Sequence, residues 1–227
     1  MAAPLGGTGG RPQPDTRGGR GLGWDGAAEK LRLGADTEAE WLSGPRLLRI
    51  ASSIADLEAL DLHRRAHDLA RDLLHCAEGT LRPQAPGLLA ARHVAAYWTG
   101  QTGDVREARR LTSALLDDCR DALGTDHPLT RTALLRLAAW TTGSGEPAQG
   151  RRLYRELVLA GPRDRITLLA RLGRAHADLL AGEAEEAVDR LGHLLPDLRA
   201  EHAGHHPVVL AARIHEAQAH RAGGRTA

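Results

Sequence analysis

The chain has 227 residues, and its 30 basic and 29 acidic side chains leave a formal net charge of +1. That length suffices for one large domain or two small ones with a substantial core, and the charge balance gives no global field favouring nucleic acid or an anionic membrane. No stretch approaches the roughly 20 apolar residues of a membrane span, the N-terminus lacks the apolar run of a signal peptide, and two cysteines, Cys76 and Cys119, make a poor disulfide framework. A cytoplasmic protein that neither enters a membrane nor binds nucleic acid is expected.

The opening segment, "MAAPLGGTGGRPQPDTRGGRGLGWDG", is rich in Gly and Pro and nearly without aliphatic side chains. Such a stretch buries too little surface to offset its ordering entropy. A disordered tail or linker is therefore expected over 1–40, with Trp24 solvated, and a helical repeat domain over 41–227. From Gly44-Pro45 onward the composition turns to Ala, Leu and Arg with few β-branched residues. A degenerate first helix pair is expected over about 45 to 84, because stepping back 42 from Leu111, Leu115 and Leu116 lands on Leu69, Leu73 and Leu74.

The next two units carry the clearest signal: "WTGQTGDVREARRL" at 98–111 returns as "WTTGSGEPAQGRRL" at 140–153. The spacing predicts that Trp98 and Trp140 end the first helices of two successive units and are buried. Gly103 and Gly145 then make the turns, and Ala108 and Gly150 open the second helices where small residues allow close approach. From Val105, the steps of three and four through Ala108, Leu111, Leu115 and Cys119 form one helical stripe. Asp104 with Glu107 resembles a capping box, Gly124 a stop, and Pro128 a first-turn proline. Gly103-Asp104 recurs as Gly145-Glu146 and Gly182-Glu183 at steps of 42 and 37, and "DHP" at 126–128 returns as "HHP" at 205–207, 79 residues on. The shorter step falls where "GPRD" at 161–164 replaces "LGTDHP". "LGRAHADLLAGEAEEA" reads as carrying two extra residues before Gly182, which predicts a longer helix or turn there. A last first helix is expected over about 207 to 222. The fold class is all-α, an array of antiparallel helix pairs in which each unit buries its apolar face on its neighbours.

"RHVAAYWTGQTGDVREARRLTSALLDDCRDALGTDHPLT", "LLRLAAWTTGSGEPAQGRRLYRELV" and "HPVVLAARIHEAQAHRAGG" resemble tetratricopeptide repeats (TPR). They are similar to the long-repeat type of kinesin light chains and many bacterial signalling proteins, over about 85 to 222 and more weakly over 45 to 84. The resemblance implies a TPR-like α-solenoid, a non-catalytic scaffold or adaptor that binds a peptide or partner protein in a concave groove. Similar bacterial arrays are often joined to Ser/Thr kinases or nucleotide-dependent regulators, so a regulatory C-terminal region separated from its catalytic domain is the alternative. Where long-repeat relatives often carry paired asparagines, this chain has His93-Val94 and Leu135-Arg136.

In a stack of this kind the first helices line the concave surface. The resemblance thus places His93, Tyr97 and Gln101, at successive steps of four, on the groove side, with Leu135, Ala139 and Gly143 as an apolar floor one unit later. Arg136 beside that floor, and Arg174 in the following unit, would offer positive charge to an acidic segment. Tyr97 and Arg136 are of the types most often found as interface anchors.

The remaining chemistry-bearing residues have plainer readings. His63 and His67 share a helix face without the Glu of a zinc-peptidase motif, and a solvated face is expected. His202, His205 and His206 cluster at a connector, where capping explains His206 better than a metal does. Cys76 and Cys119 continue apolar stripes and are expected to be buried structural thiols. Arg109-Arg110 and Arg151-Arg152 read as a solvated outer face, with Arg152 pairing Glu156. No phosphate-cradling loop, kinase motif or nucleophile elbow is present, so no catalytic residue, metal or cofactor is assigned. A metal-dependent helical hydrolase would follow only if the histidines held a metal.

Overall fold

The computed structural model describes residues 44–162 and 164–224; the expectations for 1–40 and for Trp24 lie outside them. Among the described residues every regular element is a helix: α1 (Pro45–Ala59), α2 (His63–Glu78), α3 (Pro86–Gln101), α4 (Val105–Leu123), α5 (Pro128–Gly143), α6 (Pro147–Ala160), α7 (Arg165–Leu180), α8 (Ala184–Glu201) and α9 (Pro207–Gly223). No helix among them is long and apolar enough to cross a membrane.

Local chemistry sets the ends of these helices. The turn after α3, α5 and α7 closes on Gly103, Gly145 and Gly182, at φ +107, +88 and +84, a region that strains any residue with a Cβ. Asp104 caps α4 by accepting the Glu107 N–H at 3.1 Å. Only half of the capping box forms, because the Glu107 carboxylate takes Arg110 instead, at 2.8 and 2.6 Å. Asp164 caps α7 by accepting the Thr167 N–H at 2.9 Å. His127 and His206 cap α5 and α9, their Nδ1 atoms accepting from Leu129 N at 3.1 Å and Val208 N at 3.4 Å. Each is followed by a proline at the first helical position, where its missing N–H costs nothing. Capping accounts for His206, and the His202 ring stacks on it with centroids 4.2 Å apart.

One expectation is overturned here. The unit before Gly182 carries no extra residues: α7 has 16, as α3 and α5 do, and the same turn follows. Ala177 takes the place of the helix-end tryptophan, and the loss of that landmark makes Leu180-Ala181 look like an insertion.

Every helix packs on the next, so each second helix is held between two first helices and the core runs through the whole stack. The first helices α3, α5, α7 and α9 also approach one another, more closely than the second helices do. The stack therefore curves with its first helices inside. Trp98 and Trp140 are 1% and 4% exposed near the ends of α3 and α5, as their repeat positions require. Ala108 and Gly150 are buried at the α3/α4 and α5/α6 contacts, and a Cβ on Gly150 would run into the Thr142 side chain. Cys119 is fully buried, which pushes its thiol up to about 12, whereas Cys76 is only half-buried.

Salt bridges tie successive units. Arg109 reaches the N-terminus of α6, donating to Glu146 at 3.0 Å and Gln149 at 3.4 Å. Arg151 repeats this bridge to Glu183 at the start of α8. Arg109 is thus half-buried between units, while Arg110 stays on the solvated surface. The expected Arg152–Glu156 pair does not form, because Glu156 accepts from Arg120 of α4 at 2.7 Å instead.

Candidate partner-binding face

Five of the six sequence-chosen residues fall on α3 and α5. His93 and Tyr97 are buried, 2% and 5% exposed, and Gln101 is half-buried at the end of the same helix. Leu135 and Arg136 are buried on α5, at 1% and 5%, with Ala139 buried and Gly143 exposed beyond them. Tyr97 and Arg136 meet across the seam: the guanidinium carbon lies 4.4 Å from the centre of the phenol ring. The favourable field of a ring face on a dehydrated cation makes this a cation–π contact between units.

Trp140 completes the cluster. Its ring centroid is 6.4 Å from that of Tyr97, and it fills the space left by Gly100, where a Cβ would come within 2.5 Å of the indole. The sequence marks Trp140 as core and Gly100 as unremarkable; only the second tryptophan in the same register signals the slot. Gln101 Nε2, Arg136 Nε and Trp140 Nε1 are all donors, all buried and all without a hydrogen-bond partner. No carboxylate among the described residues pairs with Arg136. Buried charges are ordinarily paired, because removing one from water costs far more than a neutral group does.

Arg174 is not part of this cluster. It sits on the opposite side of the stack, in a recess between α6 and α8 lined by Val158, Arg171, Asp189, Arg190 and His193. Its repeat equivalent, Leu137, likewise faces the outer furrow between α4 and α6, a cleft of about 870 Å³. Counting by first-helix membership alone places it in the groove; the angle around α7 decides otherwise, since Arg174 follows Gly173 by one residue, or about 100°.

Sequence reasoning also missed three polar groups. Asp178 is wholly buried, accepting from Arg151 Nη1 at 3.2 Å and Arg190 Nε at 2.6 Å. Arg131, buried at the start of α5, donates to Asp164 at 3.0 Å and to Thr167 at 2.9 Å; burial raises the Asp164 carboxyl, but Arg131 together with the Thr167 N–H and hydroxyl brings it below its ordinary range. His176 and His215 meet between α7 and α9 with ring centroids 4.5 Å apart and planes tilted by 35°. His63 is also drawn inward, its ring 5.6 Å from Trp98, while its Nε2 lies 3.0 Å from Asp61.

No protein-family model matches the sequence, and no curated protein does. Among solved structures, the chain is similar to the nearly identical TPR-like repeats of a Podosopora anserina protein described as a putative kinesin light chain. A crystal structure of a single-substitution form of those repeats superposes with a TM-score of 0.65 at 22% identity, over 79% of this chain and 87% of that one. A second crystal structure of the repeats gives 0.64 at 22%, over 79% and 88%. The fold of this chain is a stack of TPR-like repeats.

Proposed function

We propose that the protein is a non-catalytic interaction module of the cytoplasm, holding an acidic segment of a partner protein on the inner face of its first helices. The observation that carries this reading is the set of buried, unbonded N–H donors on Gln101, Arg136 and Trp140 around Tyr97, where the Arg136 guanidinium has no carboxylate partner among the described residues. A partner carboxylate would supply what the chain does not, with charge-assisted hydrogen bonds about twice as strong as neutral ones. Leu135 and Ala139 are buried on the same helix as Arg136, which ends at the exposed Gly143. A bacterial signalling setting rests on the resemblance of the repeats alone.

The test is capture from lysate by the full chain, identification of the bound protein, and repetition with Tyr97→Ala and Arg136→Ala combined. Helicity and thermal midpoint of the double variant are measured first. Capture is expected to fall with the inner-face pair and to survive Arg109→Ala with Arg110→Ala on the outer face. The reverse pattern overturns the assignment.

A further inference from the structure

The outer recess where Arg174 lies has a chemistry that nothing in the repeat requires. Asp178, one turn along α7 from Arg174, has both oxygens engaged by Arg151 and Arg190. Arg171 is held by Asp197 at 2.5 Å and also donates to the His193 carbonyl at 3.4 Å. Among the described residues Arg174 has neither an ion pair nor a hydrogen bond, and its Nε is buried. Burial first, then the fields of Arg190, Arg155 and Arg151, hold its pKa below the ordinary arginine value, with Asp178 opposing them. The acid in the recess itself, Asp189, is mostly exposed and lies 3.5 Å from His193 Nε2.

The preceding unit is an internal control. At the steps of 37 that relate the units, Arg174 corresponds to Leu137 and Asp178 to Thr141. In that furrow Arg109 is satisfied by Glu146 and Gln149. The arginines of that furrow, Arg106, Arg109 and Arg110, all come from α4. Packing at the furrow's two α5 positions is met by Leu and Thr, so the arginine and aspartate that α7 places there answer to something else.

We propose that this recess, formed by Arg171, Arg174, Arg190 and His193, binds a phosphoryl group borne by a phosphorylated side chain of another protein. Guanidinium forks match the spaced oxygens of a tetrahedral oxyanion, and each retains donors after its structural bond is made. Arg171 and Arg190 are positioned in advance by Asp197 and Asp178, and Arg174 supplies the uncompensated charge. The recess holds about 220 Å³, below the roughly 300–1,000 Å³ of sites that enclose whole small molecules. That size suits one oxyanion at the end of a side chain and not a nucleotide. The site is separate from the inner-face cluster, so either assignment can fail without the other.

The experiment titrates the full-length protein with a capped phosphoserine tripeptide and with inorganic phosphate, at ionic strength held constant with chloride. Arginine Nε–Hε resonances and calorimetry are the readouts. Saturable shifts are expected at Arg174 and Arg190, with the tripeptide binding more tightly than inorganic phosphate. Arg174→Leu, which installs the residue of the preceding unit, is expected to fold and to weaken binding about tenfold or more, as the loss of one charge-assisted bond requires. Arg174→Lys keeps the charge and is expected to retain part of the affinity, so that a folding defect is told apart from a lost contact. Arg106→Ala, in the preceding furrow, should bind as wild type. Undiminished binding by Arg174→Leu, or equal shifts with chloride alone, overturns the site. Inorganic phosphate binding as tightly as the tripeptide overturns the side-chain source.

Discussion

Where α3 meets α5, the Tyr97 ring lies under the Arg136 guanidinium at 4.4 Å; where α7 meets α9, the same two positions, 79 residues on, hold His176 and His215 with ring centroids 4.5 Å apart. The seam between them, α5 against α7, has Ala139 and Gly173 there, and the Tyr154 ring enters from α6 to occupy the space a Cβ on Gly173 would need. Three seams of one backbone geometry thus hold a permanent cation on a ring, two small residues before a ring, and two imidazoles. The repeat fixes where side chains meet across a seam and leaves open what they are, so binding chemistry can change from unit to unit without disturbing the stack.

The largest effect expected is at the tryptophans that brace the first seam. Trp140→Ala empties the slot over Gly100 and removes the neighbour of Tyr97, and should cost on the order of 3–5 kcal/mol in chemical denaturation. Trp98→Ala should cost about as much, because Trp98 stands at the equivalent place and is buried as completely. A large difference between the two would show that the units are not energetically equivalent.

The histidine seam should respond to pH where the arginine seam does not. Burial, then the neighbouring His215, lowers the pKa of His176 from 6.5 to about 4, and burial lowers that of His215 with Gln218 opposing. Both imidazoles are therefore neutral when folded under conditions that protonate them in the unfolded chain. The unfolded state binds more protons between those values, so stability is fully present above about pH 6.5 and is lost as pH falls toward 4. The loss from His176 is at most about 3 kcal/mol. The measurement is unfolding free energy against pH for wild type and for His176→Gln with His215→Gln; the double variant should have the flatter curve in that window. Parallel curves would mean that these rings gain no stability from staying neutral.

Much of this architecture is legible in the sequence for a physical reason. Turn glycines, cap residues and helix-end tryptophans act locally, and the steps of 42, 37 and 79 display them more than once. Gly103, Asp104, Gly124, Pro128 and Trp140 accordingly stand where their types predict. Contacts between units are harder to foresee, since they depend on angular position around each helix. Tyr97 and Arg136 qualify separately as anchor types and prove to touch. Arg174, selected by the same reasoning, faces the other way, and the Asp178 charge buried beneath Arg151 and Arg190 leaves no trace in the periodicity, being one polar residue in an apolar stripe. Glu156 shows the same limit at the surface: its helical neighbour Arg152 is the obvious partner, but Arg120 of another unit reaches it.

The middle seam gives an intermediate effect. A Cβ at Gly173 would overlap the Tyr154 ring, and Tyr154 is fully buried. Gly173→Ala should therefore destabilise by about 1–3 kcal/mol despite its favourable helix propensity. Tyr154→Leu in the same chain should recover part of that loss. If Gly173→Ala instead raises the thermal midpoint, the seam is looser than its contacts indicate.

The smallest stability effect is expected at Arg136, and its sign is informative. Two arginines of α5 are almost equally buried: Arg131 at 6% and Arg136 at 5%. Arg131 has Asp164 and Thr167 as partners, so Arg131→Met strands a half-buried carboxylate and a cap, and should lower stability by at least about 1 kcal/mol. Arg136 has only the Tyr97 ring, whose attraction for a cation is about 0.5–2 kcal/mol. Against that stands the cost of holding a guanidinium out of water with its Nε unbonded. Arg136→Met removes that cost, keeps the volume, and replaces the cation by a thioether that also packs well on an aromatic ring. The thermal midpoint of Arg136→Met should therefore equal or exceed that of wild type, a change of about 1 kcal/mol or less, while capture of the partner is lost. That combination, greater or equal stability with less binding, is what a residue retained for an external acceptor must show. If Arg136→Met is destabilised as much as Arg131→Met, Arg136 serves the stack itself and the inner-face cluster loses its claim as a binding site.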